Sequence, residues 1–509
     1  MSKVETIAAP RWRFEKFIWL FIAATACGLI ANFFPILMLL LIGGALFWYF
    51  WKHQDQFVLF LIAYTPFEEI ILKLLPDSYY APARFFWEGM LFGFMLVMIF
   101  DKIVLKKNWQ KSPIDLPILI FLLGWLLSGL WNHVSLTLSL ANIKNLIRYI
   151  PLFYVVINLK PDRAYLLKAT RLIIIIAVIQ SAVCLAEAID AGVADLFIPK
   201  EVVVGGELIR SADVQQGTYY TRFSGTLSRN VHLGSYLAFA LCFLAALNLR
   251  RSAKRWPKLA MAPILLALFI CSSRMSWISA FVGVGTILLI ARHKWRVVYF
   301  VLPAALLLVV FIIGNIAAKG DLAQDFNILN RFYYIFSSDY MESISSMGRL
   351  YAVFYAMPAV FMANPLLGIG PGSFIKISEQ MAFDDSFGKA AELGLNPIAL
   401  NYVHDIGYAS LFVQVGLLGL MALIWIFVRL FKLARKTYRD QIASDISSFM
   451  LGATGFFAAL AIQNLGGFNL MYRNQSLLIW TIAGLVALFA RVRISDEERN
   501  RPDLAADHS

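Results

Sequence analysis

The sequence predicts an all-α protein that crosses a membrane many times, and three observations support this fold class. Only 15% of the residues are charged, whereas about 25% is usual in soluble domains. The mean hydropathy is +0.69. Apolar runs of about 18 residues or more, long enough to span a bilayer, recur along the chain. A transmembrane β-barrel would instead show alternating segments of about ten residues, so the runs favour helices.

We predict about 14 transmembrane helices from these runs. The first run is interpreted as an uncleaved span rather than a signal peptide, because it continues through Phe34 and the next run follows almost at once. Their approximate limits are 17–34, 35–51, 57–75, 84–101, 114–131, 141–158, 172–189, 231–248, 258–273, 275–291, 297–317, 408–428, 446–463 and 475–490.

The distribution of basic residues predicts that both termini are cytoplasmic. With the N-terminus inside, the inside segments hold about 30 of the 45 Lys and Arg residues, as the positive-inside rule requires. The net charge of +13 therefore indicates cytoplasmic loops rather than nucleic-acid binding. The four cysteines lie within or beside apolar runs, and no Cys/His spacing suggests a metal site.

Two outside loops are longer than ordinary connections, one at about 190–230 and the other at about 318–407. The second contains the apolar segment 349–363, which includes Pro358. Its length and the proline favour a helix lying along the membrane surface over a further span.

Three positively charged or titratable side chains are predicted at the outer ends of helices: Arg274, Arg349 and His404. One arginine alone is better explained by snorkelling or an ion pair at the interface. Two guanidiniums facing one region would form an anion site, and their bidentate geometry suits a diphosphate. His404 could act as a general base oriented by Asp405, or it could be an interfacial histidine bonded to Asp405 or the backbone.

Four segments in this order resemble the O-antigen ligase and polymerase family, which includes exopolysaccharide polymerases and pilin oligosaccharyltransferases. The segments are 222–238, 272–284, 348–374 and 404–420. The resemblance covers roughly 222–432 as a family core, with N-terminal helices at 1–221 and C-terminal helices plus a cytoplasmic tail at 433–509. It implies a GT-C-like fold and a metal-independent glycosyltransferase, with no cofactor, on the periplasmic side of the bacterial inner membrane.

The resemblance also implies roles for the site residues. The donor would be a glycan on undecaprenyl diphosphate, with Arg274 and Arg349 holding the diphosphate. His404 would take the proton from the attacking acceptor hydroxyl, and Asp405 is a candidate orienter that could equally cap the following helix.

Further candidate donor contacts are Arg222, Arg229 and Arg148. Arg222 and Arg229 could equally be plain interfacial charges. Arg148 lies four residues after Lys144, on one helical face, and could instead form an ion pair with Glu68 or Glu69.

The chain departs from the family pattern at several positions. Asp405 follows the histidine where the family commonly has Asn, and Gln414 stands where Glu is frequent. The Asn of the first segment is displaced, giving Asn230 and then His232. These differences leave the two arginines and His404 in place, and no role is assigned to Gln414 or His232. The glycine-rich segment 368–374 lacks the strand and GK[ST] of a phosphate loop and is interpreted as a turn.

Several functions share this set of residues. A polysaccharide polymerase is favoured by the span count, whereas an O-antigen ligase acting on lipid A core and a pilin-type oligosaccharyltransferase are alternatives. A transporter or flippase is a more distant alternative, supported by Pro66, Glu68 and Glu69 within the third span. Expected partners are the lipid-linked glycan, an acceptor glycan or lipid, membrane lipids and assembly proteins such as a chain-length regulator, but no nucleic acid.

Overall fold

A computed structural model of the chain describes residues 35–106, 110–160, 163–190, 193, 196–197, 201–204, 207–210, 223–249, 255–271, 273–292, 351–372, 392–395, 403, 406–440 and 445–499. The chain divides into two compact units, Met1–Phe57 and Val58–Ser509. The predicted spans 17–34 and 297–317 lie outside the described residues, as does most of the predicted loop 318–407. The predicted three-part division of the chain stays a prediction.

Helices account for most of the described chain. They are α1 (Pro35–Lys52), α2 (Gln54–Tyr64), α3 (Glu68–Lys73), α4 (Asp77–Ile103), α5 (Asp115–Trp131), α6 (Leu136–Ile147), α7 (Ile150–Asn158), α8 (Arg163–Ile189), α9 (Asn230–Asn248), α10 (Arg255–Ile270), α11 (Arg274–Ile290), α12 (Met357–Ala363), α13 (Gly407–Asp440), α14 (Asp445–Gln463) and α15 (Arg473–Arg499). Each predicted span within the described residues coincides with one of these helices or with two of them in succession.

Seven stretches of these helices are long and apolar enough to cross a membrane by length and composition, and three more apolar helices are shorter. The structure therefore confirms a polytopic α-helical membrane protein. The count of 14 spans and the side on which each end lies stay predictions. A short antiparallel hairpin also occurs between α8 and α9, formed by β1 (Glu201–Val204) and β2 (Glu207–Arg210).

Three of the predicted spans are broken along their length. A 3₁₀ turn at Thr65–Phe67 separates α2 from α3, where Pro66 cannot continue the backbone hydrogen bonding of an α-helix. The α6–α7 stretch is interrupted at Arg148 and Tyr149. Within α13, Gly416 has a φ of 65° and a ψ of −161°, which is not helical. Such breaks inside a membrane domain require other groups to satisfy the freed backbone atoms.

Small residues allow the central helices to approach closely. A Cβ atom added to Gly283 of α11 would lie 2.8 Å from the carbonyl oxygen of Gly455 in α14, and 2.6 Å from Cys242 Sγ in α9. Close backbone approach at small residues is a usual way for membrane helices to associate. Large apolar side chains on the outer surface, such as Leu96 (67% exposed) and Phe100 (57% exposed) on α4, mark faces suited to lipid.

The predicted surface segment 349–363 is helical where it is described. A π-helical turn at Ala352–Ala356 leads into α12. One face is fully buried, through Ala352, Ala356 and Val360, whereas Phe354 and Met362 on the other face are 65% and 85% exposed. Both faces carry apolar side chains, so the buried face suits packing on the protein and the exposed face suits contact with lipid. Its position on the membrane surface stays a prediction.

Candidate active site

The predicted site residues divide into two groups. His404, Asp405, Arg349 and Arg222 lie outside the described residues, although Val403 and Gly407 on either side of the histidine are described and buried. Arg274, Arg229 and Arg148 are described, at or between the ends of helices.

The turn between α14 and α15, residues 464–472, is the point at which several helix starts meet; we call it the α14–α15 turn. The backbone amide of Gly407, at the start of α13, donates a hydrogen bond of 2.8 Å to Asn464 O. The ring of His232, in the first turn of α9, lies 4.3 Å from the ring of Tyr472. The starts of α13 and α9 therefore lie beside the same turn, although α9 and α13 are about 170 residues apart in sequence.

Arg274 lies beside this turn as well. It is the first residue of α11, and the next residue, Met275, packs so closely on the turn that a Cβ atom on Gly466 would lie 2.2 Å from Met275 Cγ. The sequence therefore needs glycine at that point in the turn. Arg274 is thus positioned by the start of a rigid helix rather than by a loop.

Arg229 is held near Arg274 by a side-chain hydrogen bond between two helix ends. Arg229 has an extended backbone and immediately precedes α9. Its neighbour Asn230 donates from Nδ2 to the carbonyl oxygen of Cys271 over 3.0 Å, three residues before Arg274. The two arginines therefore lie at one end of the bundle with the N-termini of α9, α11 and α13. The partial positive charge of those N-termini favours an anion there.

The segment before Arg229 is a turn fixed by side chains of α8. The backbone amides of Ser224 and Gly225 donate to Glu187 Oε2 at 3.0 and 2.9 Å. The amide of Thr226 donates to Gln180 Oε1 at 3.0 Å. Because a carboxylate of the protein already accepts from these amides, the turn positions Arg229 and is not itself an anion-binding loop.

The same turn also donates a hydrogen bond to the backbone at the break between α2 and α3. Thr226 Oγ1 donates to the carbonyl oxygen of Pro66 over 2.6 Å. This oxygen belongs to the 3₁₀ turn at Thr65–Phe67, where the regular helical hydrogen bonds are lost. Segment 222–238, the first of the four that carry the family resemblance, is therefore hydrogen-bonded directly to the broken third span.

The glycine-rich segment 368–374 forms a turn where it is described, as predicted, and it has a structural role. The amides of Ile369 and Gly370 donate to the carbonyl oxygens of Val413 and Gln414 at 2.8 and 3.1 Å. The amide of Gly372 donates to Gln414 Oε1 at 3.0 Å. These bonds satisfy backbone carbonyl groups of α13 near its break at Gly416, so the segment supports the broken helix.

Arg148 belongs to a buried ion network rather than to the group around Arg274. Its Nε lies 3.1 Å from Glu88 Oε1. Arg473 contacts the same oxygen from Nη2 at 2.9 Å, and its Nη1 contacts Glu68 Oε1 at 2.7 Å. All four side chains are less than a tenth exposed. An ion pair was one of the two predicted roles of Arg148, and the partner found is Glu88 rather than Glu68 or Glu69.

A second, looser pair extends the ion network. Glu69 Oε1 lies 3.6 Å from Arg84 Nη2, and these side chains are 17% and 25% exposed. Arg473 Nη1 also donates to the carbonyl oxygen of Arg84 at 2.8 Å. Within the described part of the chain, three carboxylates thus face three guanidiniums. The network joins α3, α4, the α6–α7 break and the start of α15, one residue beyond the α14–α15 turn.

Sequence reasoning missed the residues that organise this region: Glu88, Glu187, Gln414 and Arg473. The available signal was the presence of charged side chains within or at the start of apolar runs, which is costly unless they are paired. That signal identifies Glu88, Glu187 and Arg473 but not their partners. No group of three or more His, Cys, Asp or Glu side chains close enough to hold a metal ion occurs among the described residues.

Part of the chain matches a known protein family. Residues 259–424, which are 166 of the 509, match the sequence model of the family described as O-antigen ligase. This range contains α11, α12 and the break in α13 at Gly416. No curated protein matches the chain significantly. Residues 259–424 are therefore similar to the O-antigen ligase family, and this match supports a membrane enzyme of the O-antigen ligase and polymerase kind.

Proposed function

We propose that the chain is a metal-independent glycosyltransferase that works at the periplasmic face of the bacterial inner membrane. It moves a glycan from undecaprenyl diphosphate to an acceptor hydroxyl. The observation that supports this most is the meeting of Arg274, Arg229 and three helix N-termini beside the residues that flank His404. This arrangement concentrates positive charge next to the segment that carries the only proposed base.

In the proposed reaction the acceptor oxygen attacks the anomeric carbon as the bond from that carbon to the diphosphate oxygen breaks. His404 takes the hydroxyl proton, and Asp405 orients the imidazole. The negative charge that develops on the departing diphosphate is stabilised by Arg274 and Arg349, with Arg222 and Arg229 as further donor contacts. Fixed positive charge at a leaving group is among the largest contributions to catalysis.

Within this class we propose a polysaccharide polymerase, whose acceptor is another lipid-linked repeat unit. This choice depends on the predicted span count. An O-antigen ligase acting on lipid A core and a pilin-type oligosaccharyltransferase would use the same base and the same anion site, so the acceptor must be identified by experiment.

Transport is less well supported than catalysis. A transporter would need the carboxylates of the third span to be available to a proton or a solute. Glu68 instead accepts from Arg473 at 2.7 Å, and the helix break beside it is satisfied by Thr226. These contacts indicate a structural ion network rather than a site that binds and releases a proton or a solute.

The test is complementation of a deletion strain with His404→Ala, with Arg429→Ala as the matched control. Arg429 is an exposed cation near the far end of α13, bonded to the carbonyl oxygen of Pro113. We expect long-chain glycan to disappear with His404→Ala at normal membrane abundance and to persist with Arg429→Ala. Loss of free polysaccharide on gels indicates a polymerase, and loss of glycan from lipid A core indicates a ligase. Normal glycan with His404→Ala would remove the proposed base.

A further inference from the structure

Buried polar atoms that have no hydrogen-bond partner among the described residues collect around the α14–α15 turn. They include His232 Nε2, Gln463 Oε1, Asn464 Nδ2, Gln475 Oε1 and Ser476 Oγ, which we call the polar cluster. Gln463, Asn464, Gln475 and Ser476 are at most 1% exposed. Since buried polar groups are nearly always satisfied in folded proteins, several unsatisfied atoms in one place indicate that something else completes their hydrogen bonds.

Hydrogen bonds at the opposite atoms of these side chains hold them together. Gln475 Nε2 donates to the carbonyl oxygen of His232 at 3.1 Å. Gln463 Nε2 donates to Ser235 Oγ at 2.8 Å, and Ser235 lies about one turn along α9 from His232. Both glutamine amides have thus used their nitrogen on the protein, which fixes the direction of each side chain and leaves its oxygen as an acceptor. Asn464 is the reverse case, because its Oδ1 accepts from Asn469 and its Nδ2 is left as a donor.

The protonation of His232 follows from its neighbour. Its Nδ1 lies 3.2 Å from the carbonyl oxygen of Leu227, which can only accept a hydrogen bond. Nδ1 therefore carries the proton, and in the neutral ring Nε2 presents a lone pair. His232 as a whole residue is only partly buried, unlike the amides behind it, so it lies at the outer side of the polar cluster, although its Nε2 atom is itself buried.

We propose that the polar cluster is a subsite for hydroxyl groups of the glycan carried by the lipid-linked donor, with His232 Nε2 accepting a hydrogen bond from one of them. The atoms of the cluster are neutral, and three of them are acceptors, which suits hydroxyl groups and disfavours a phosphate. The cluster lies beside Arg229 and Arg274, where the diphosphate is proposed to bind, and the first sugar is attached directly to that diphosphate. This inference rests on the proposed function and makes His232 a specificity-determining residue.

The test measures binding in a background that cannot turn over. Purified His404→Ala protein is titrated with undecaprenyl diphosphate carrying the repeat unit, extracted from the deletion strain, and with bare undecaprenyl diphosphate. His232→Phe keeps a ring beside Tyr472 but removes the Nε2 acceptor. We expect it to reduce the preference for the glycan-bearing lipid about tenfold, since one buried hydrogen bond has roughly that value, without changing affinity for the bare lipid.

Two further variants make the result specific. His232→Gln can place an amide oxygen near the former Nε2 and should recover most of the preference. Asn248→Ala, at the other end of the same helix, should leave the preference unchanged. If the polar cluster holds only buried water, which offers the same hydroxyl chemistry, His232→Phe will change thermal stability but not the preference, and the inference is overturned. If neither lipid binds the His404→Ala protein, the proposed function itself has failed.

Discussion

Replacing Glu88 by Gln should destabilise the protein by about 3–5 kcal/mol, because it breaks a buried ion pair and leaves charge uncompensated. Glu88 Oε1 lies 2.9 Å from Arg473 and 3.1 Å from Arg148. Without its charge, Arg148 loses the carboxylate that it contacts among the described residues, and Arg473 keeps Glu68; both guanidiniums are less than a tenth exposed. Such a loss is a large part of the roughly 5–15 kcal/mol that stabilises a typical protein.

The assay compares the melting temperature and membrane abundance of Glu88→Gln with those of Glu69→Gln in the same detergent. Glu69 makes the longer pair of 3.6 Å with the more exposed Arg84, so its loss should cost only about 1 kcal/mol or less. The double variant Glu88→Gln/Arg148→Met removes both charges of one pair and should recover part of the stability. Equal melting temperatures for Glu88→Gln and Glu69→Gln would refute the importance of the network.

Three further predictions follow from the site. Gly416→Ala places a Cβ atom 2.3 Å from a backbone carbon of the 364–372 loop at a φ of 65°, and should lower the free energy of unfolding by about 2–5 kcal/mol, measured by thermal melting. The control is Gly285→Ala, which has open space around it and should change stability little; an equal effect of the two variants would contradict the close packing of the loop on the break in α13. Thr226→Val removes the hydroxyl that satisfies the third-span break and should cost about 1–3 kcal/mol by the same measurement, whereas an unchanged melting temperature would contradict that role. Arg274→Ala should lower transfer by about 10²–10³-fold at normal membrane abundance, and near-normal transfer would exclude this arginine from the mechanism.

The helices were predictable because a bilayer demands long apolar runs, and such runs can be read locally. The break at Thr65–Phe67 also had a local signal, since Pro66 cannot continue the hydrogen bonding of a helix. The break at Gly416 had no comparable signal, because the groups that satisfy it come from a loop about 50 residues earlier. The hydrogen bonds from the glycine-rich turn to the broken helix were therefore not predictable, although the turn itself was.

The candidate site shows the same division between local and distant information. The residue types that suit a diphosphate, Arg229 and Arg274, were identified from pattern and resemblance. Their common location depends on the α14–α15 turn, which lies about 190 residues after Arg274 in the sequence. The pairing of Glu68 with Arg473 joins residues 405 positions apart. A single sequence shows that a buried charge needs a partner, but it does not show which one.

The most direct test of the central claim is transfer by the purified protein in liposomes that contain the lipid-linked repeat unit. Products are separated by size, and released undecaprenyl diphosphate is quantified. We predict that wild-type protein and Arg429→Ala join repeat units and release one lipid diphosphate per bond, whereas His404→Ala does neither while still binding the donor. Equal product from His404→Ala, or release of lipid diphosphate without a new glycosidic bond in the wild type, would contradict this prediction.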